Sequence, residues 1–137
     1  MKMENSKKYK TELAYSFISS LVLILLLGKS IRNYIPIIFG AVGFVRFAML
    51  SWNKYYFLSE RLVEKFKPLL IQYGIHYRQR GKMYSVNIFD LIGERKKMIS
   101  SEKSLKNDLN EFNILINLTL ISFFGIILLG ILTVILA

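Results

Sequence analysis

The amino-acid sequence predicts an all-α membrane protein with an N-terminal transmembrane helical hairpin, a basic amphipathic cytoplasmic segment with room for a short β-hairpin, and a C-terminal transmembrane helix. Three observations carry this expectation. Apolar residues make up 53% of the 137 and charged residues 20%, and the two classes are segregated along the chain. No charge occurs from Leu13 to Gly28, Arg46 alone interrupts Asn33 to Asn53, and nothing charged appears from Phe112 to Ala137. Lysine and arginine, 19 against 9 acidic residues, lie outside those stretches apart from Arg46. The expected organisation is a basic tail over 1–12, a two-helix transmembrane hairpin over 13–52, a basic segment over 53–111 and a last transmembrane helix over 112–137.

The last stretch is the plainest, since 26 uncharged residues make a helix of roughly 39 Å against a hydrocarbon core of about 30 Å. The first has only 16, about 24 Å, so it spans if Lys10 and Lys29 extend their ammonium groups toward the two interfaces. A signal peptide is the competing reading, with Gly28 and Ser30 at cleavage-like spacing, but a second apolar stretch follows at once. That second stretch opens at Pro36, which a first helical turn tolerates, and ends in the aromatic cluster Trp52, Tyr55 and Tyr56, of the kind that settles at headgroup depth. Only Gly28 to Arg32 separates the two, so they form an antiparallel hairpin.

Orientation follows from the basic residues. With three spans, the tail (Lys2, Lys7, Lys8, Lys10) and the twelve basic residues after Trp52 share a side, sixteen against the two of the hairpin turn. That side is cytoplasmic, which places the N-terminus inside and the C-terminus outside a bacterial cytoplasmic membrane. The net charge of +10 then reflects the positive-inside rule and anionic headgroups, and nucleic acid is not expected as a partner.

Within 53–111, Leu58, Leu62, Phe66, Leu69 and Tyr73 recur at helical spacing, with a kink or a new helix expected at Pro68. From Ile75 the period changes. Tyr84, Val86 and Ile88 alternate with Ser85 and Asn87 after Arg80-Gly81-Lys82, which reads as a hairpin turning at Gly81. The alternative is a helix marked by Met83, Val86, Phe89 and Ile92. Ser100-Ser101 is read as the cap of a long helix that carries Leu105, Leu109 and Phe112 into the membrane, with Glu102 and Lys106 as an i,i+4 pair.

Arg46 is the leading site candidate. A guanidinium at mid-bilayer costs about 2.5 to 3.5 kcal/mol on insertion scales, so it either reaches back to the interface or meets a partner. Gly40 and Gly43 are small enough to let a partner helix approach. Arg78, Arg80, Lys82, Arg95, Lys96 and Lys97, with Trp52 and Tyr55, are expected to contact anionic headgroups. His76 is the sole histidine and cysteine is absent, so thiolate metal sites, disulfides and cysteine nucleophiles are excluded. Asp90 and Glu94 lie four apart but lack the companions of a catalytic pair, and the sequon at Asn117 falls inside a span.

The stretch Trp52, Tyr55, Ser59, Glu60, Leu62, Gly74 and Tyr77, after a two-span hairpin, resembles bacterial two-helix membrane effector domains of the SLATT type, which implies pore formation. The C-terminal span departs from that architecture. The segment from Gly74-Ile75-His76-Tyr77 through Ile88-Phe89-Asp90-Leu91 resembles the strands of bacterial pleckstrin-homology-like membrane domains, for which residues 53–111 leave little room. Neither stretch identifies a family.

No constellation of residues specifies a reaction. The expectation is a non-enzymatic protein without cofactor or metal that docks to a membrane-embedded complex, as an accessory or immunity-type subunit of a secretion, transport or toxin system. Self-association of the spans into a pore-forming or permeabilising effector is the alternative. The expected partners are anionic lipid headgroups and a membrane protein or a second copy.

Overall fold

The computed structural model describes residues 2–137; Met1 and the side chains of Lys2, Met3 and Glu4, and so the Lys2 share of the basic tail, lie outside the described residues. Helix accounts for 82% of the structure, accompanied by one two-stranded sheet. Three helical stretches, Asn5–Leu26, Lys29–Lys65 and Lys103–Ile135, are long and apolar enough to cross a membrane. The chain divides into two compact units, Met1–Leu50 with Ile114–Ala137, and Ser51–Asn113.

In the first unit, α1 (Lys2–Leu26) contains neither glycine nor proline, so nothing interrupts its hydrogen-bond ladder and the basic tail is part of the same helix. The 22 residues from Asn5 to Leu26 reach about 33 Å, and the first eight of them carry Lys7, Lys8, Lys10 and Glu12. Gly28, extended at φ −68° and ψ 162°, ends the run. After α2 (Lys29–Arg32), α3 (Ile35–Phe39) starts with Pro36 in its first turn. A π-helical segment, Gly40–Val45, then leads into α4 (Arg46–Lys65). The sequence reading had no sign of this widened stretch.

The first unit's core joins Leu13 and Ile24 of α1, Phe39 of α3, Phe47 of α4, and Leu118 and Leu129 of the last helix, α8 (Lys106–Ile135). Glycines allow the close approach. A Cβ on Gly40 would stand 3.0 Å from Ile126 Cδ1, and one on Gly125 only 2.8 Å from Phe39 Cε1. Arg32 ties off two helix ends, donating to the carbonyls of Leu136 (2.8 Å) and Leu27 (3.0 Å), where backbone acceptors have no intrahelical partner.

In the second unit, Phe66 leaves helical geometry (φ −126°, ψ 28°) and a new helix, α5 (Lys67–Gln72), starts with Pro68 in its first turn. Gly74, at φ +63°, turns the chain toward the hairpin. Strands β1 (Tyr77–Arg80) and β2 (Met83–Val86) pair antiparallel, Tyr77 opposite Val86 and Arg80 opposite Met83. Gly81 has φ +61° and Lys82 does not, the pattern of a two-residue turn with glycine first.

A free two-stranded hairpin is marginal in water; α4 holds this one at the end of its second strand. Tyr55 Oη donates to the Val86 carbonyl, and the Val86 N–H donates to Ser59 Oγ at 3.3 Å. Tyr55 and Ser59 are one helical turn apart, so together they serve Val86 as a neighbouring strand would.

Asn87 caps α6 (Ile88–Gly93), its Oδ1 accepting from the N–H groups of Phe89 and Asp90. The expected cap at Ser100-Ser101 is displaced. Both serines finish α7 (Arg95–Ser101), Glu102 is extended, and a 3-10 turn, Lys103–Leu105, precedes α8. Glu102 therefore lies outside the helix and accepts from Ser104 Oγ at 2.9 Å, so the anticipated i,i+4 relation with Lys106 does not arise.

Candidate functional site

Residues that share one face of α1, polar except at its far end, build the most distinctive surface of the apolar unit. Glu12, Tyr15, Ser16, Ser19, Ser20 and Leu23 recur at spacings of three and four, so they stand above one another along the helix. They form one wall of a groove of about 500 Å³ whose other wall is Ile38, Phe39, Val42, Gly43, Arg46 and Phe47. The π-helical segment contributes Val42 and Gly43 to that second wall. Such widened turns are rare and concentrate at functional sites.

Arg46 stands at one end of the groove. Its Nη1 donates to Glu12 Oε2 at 2.5 Å, with the two side chains 43% and 35% exposed. The guanidinium carbon also lies 5.8 Å from the Tyr9 ring centroid and 5.7 Å from that of Phe47, rings that meet edge to face. The sequence left Arg46 two fates, interfacial anchor or partner contact. The chain itself supplies a carboxylate and two aromatic faces, which lowers the cost of holding a charge among apolar helices. Ser20 Oγ donates to the Ser16 carbonyl at 2.7 Å and keeps its acceptor capacity toward the groove.

The other expected site residues separate into groups. Gly40 and Gly43, expected to let a partner helix approach, are buried against Ile126 and Ser122 of α8, and Gly43 also lines the groove. Tyr55, read as a headgroup anchor, is only 9% exposed and bonded to Val86, whereas Trp52 beside it is exposed. Arg95 donates to Asn110 Oδ1, and Lys97 pairs with Glu94 at 3.1 Å, while Lys96 is exposed. Arg78, Arg80 and Lys82 are exposed on the hairpin.

A second charge cluster lies in the Ser51–Asn113 unit. The Asp108 carboxylate, 3% exposed, receives Lys54 Nζ at 2.9 Å and the Arg61 guanidinium, and Lys54 also reaches Glu111 at 3.1 Å. Lys54 and Arg61 are two turns apart on α4, so one buried acid fastens two turns of that helix to the start of α8. Charges this well matched hold architecture, and they face each other, leaving little for a ligand.

Sequence reasoning found Arg46 as the one charge in an apolar stretch but missed Glu12, which precedes the uncharged window. The serines were individually unremarkable; their spacing along α1 was the available signal. Comparison with protein-family models, with curated proteins and with solved structures finds no match.

Proposed function

We propose that this chain is a non-enzymatic integral membrane protein that docks one transmembrane helix of a partner protein into the groove between α1 and the π-helical segment. The observation that carries the reading is the groove itself. On a surface otherwise made of residues such as Ile18, Val22, Ile37, Phe124 and Leu128, it gathers three serines and an ion pair. Small hydroxyl residues let helices approach closely and hydrogen-bond in a medium that offers no water. The half-exposed Arg46 and Glu12 add a charge pair that a polar group on the partner can join.

The alternative, a pore made by self-association, draws less support. A pore needs a polar stripe along the length of the spans, and the buried hydroxyls of Ser122 and Thr133 bond to their own helix. The role proposed is that of an accessory or immunity-type subunit of a secretion, transport or toxin system.

Native-membrane co-purification tests the docking. Arg46→Leu is expected to lose the co-purifying membrane protein, and Arg46→Lys, which keeps the charge without the planar fork, to recover part of it. Full recovery with both, or with Ser16 and Ser19 enlarged to Leu, would exclude the groove. An oligomer of this chain alone, accompanied by dye leakage from vesicles, would select the pore.

In this reading the N-terminus and residues 53–111 are cytoplasmic and the C-terminus lies outside. A reporter active only outside the cytoplasm is expected to work after Ala137 and to be silent near Lys82; the reverse pattern would overturn the topology.

A further inference from the structure

Residues paired across an antiparallel ladder share a face. Tyr77 with Val86 and Gln79 with Tyr84 therefore make one face of the hairpin, and Arg78 with Ser85 and Arg80 with Met83 make the other. Val86 is buried and held by Tyr55 and Ser59, so the first face is turned to its unit's core. The second is open. It presents Arg78, Arg80 and Met83, the last 55% exposed, with Lys82 at the adjoining turn. No acidic residue occurs on either strand, and among the described residues none of these three cations forms an ion pair.

We propose that this face of the hairpin docks on the anionic surface of the bilayer that the neighbouring helices cross. The proposal rests on the reading that the chain spans a membrane. Arginines two residues apart on one strand stand about 6.6 Å from one another and each can grip a phosphate with two parallel hydrogen bonds. Met83, opposite Arg80 beside the turn, gives an apolar tip suited to the boundary below the headgroups. Single-stranded nucleic acid would need aromatic platforms beside the cations, and here Tyr77 and Tyr84 lie on the opposite face. Continuity with the spans adds the last argument. The unit begins at Ser51, within the candidate spanning helix Lys29–Lys65, so the bilayer is present at high effective concentration and modest contacts suffice.

The absence of cysteine permits a direct test on the full chain. Met83→Cys, labelled with an environment-sensitive dye, is reconstituted into nanodiscs of phosphatidylcholine alone or with phosphatidylglycerol, after resistance to alkaline extraction has been scored. Docking predicts a blue shift and quenching by brominated lipid in the anionic discs, both reversed as salt shortens the screening length from about 10 Å to 3 Å. Arg78→Gln with Arg80→Gln is expected to shift the docking equilibrium roughly 25-fold, about fivefold per charge, and the double lysine variant to retain most of it. Equal signals in both disc types would overturn the proposal, as would a response to a single-stranded oligonucleotide in place of the anionic lipid. Release of the protein by alkaline extraction would remove the spanning reading itself, and the proposal with it.

Discussion

Ser122 and Ser59 are both fully buried serines, one in each unit, and they use their hydroxyls differently. Ser122 Oγ donates to the Leu118 carbonyl one turn back on its own helix, whereas Ser59 Oγ accepts from Val86, 27 residues away. The pattern extends beyond the pair. In the first unit Ser20, Thr119 and Thr133 bond to carbonyls three or four residues earlier. In the second, Tyr55, Arg61 and Arg95 bond to residues distant in sequence. Apolar helices meet chiefly through shape, at Gly40, Gly43 and Gly125, with Arg46–Glu12 and Arg32–Leu136 as polar contacts between them, while Ser20, Ser122 and Thr133 bond to carbonyls of their own helices. The polar unit is assembled from short elements that bury less apolar surface each, so specific hydrogen bonds and ion pairs set how they meet.

The largest effect is expected where that reliance is greatest. Asp108→Ala would leave Arg61, its side chain 26% exposed, without the acid it is bonded to, and Lys54, 14% exposed, with Glu111. Removing one partner of a buried pair typically costs about 3 to 5 kcal/mol, because the remaining charge stays desolvated. The Glu12→Gln change in the first unit leaves Arg46 a neutral amide oxygen to bond and the Tyr9 and Phe47 rings beside it, so its loss should be smaller. Denaturant unfolding in mild detergent compares the two. Equal losses would break the contrast drawn between the units.

Much of this contrast was legible in the residues, and the exceptions share a cause. The apolar stretches were visible because charge is excluded from them, and the hairpin because Tyr84, Val86 and Ile88 alternate after Gly81. Each signal is local. The π-helical segment was invisible, since Gly40 and Gly43 advertise close packing without saying that the helix widens there. Gly125 carries no signal in its own stretch of sequence, because its role is decided by Phe39 and Phe17 on other helices. Tyr55 looked like a headgroup anchor because aromatic clusters at the ends of apolar helices often are; its partner Val86 lies 31 residues on. The start of α8 was misplaced because serines are good caps, and Ser100-Ser101 is equally compatible with ending the preceding helix. For the candidate site, Arg46 was evident and Glu12 was not, because the pairing depends on how α1 and α4 are brought side by side.

The smallest expected effect is also the sharpest comparison, since it makes the same substitution at two serines of equal burial. Ser59→Ala removes the acceptor of the Val86 N–H. In the antiparallel ladder Asn87 N–H bonds to the His76 carbonyl, so Tyr77 and Val86 form a pair without mutual hydrogen bonds and the Val86 N–H points away from β1. With Ser59 gone that donor is buried and unpaired, a loss of about 1 to 3 kcal/mol. Ser122→Ala removes only a second bond to a carbonyl that is already placed in a helix, and the change should stay within about 0.5 kcal/mol. Hydrogen exchange supplies a local readout: amides of residues 83–86 should exchange faster in Ser59→Ala and at the native rate in Ser122→Ala. If Ser122→Ala costs as much as Ser59→Ala, the hydroxyls of the apolar unit carry interhelical structure, and the division between packing by shape and packing by hydrogen bond does not hold.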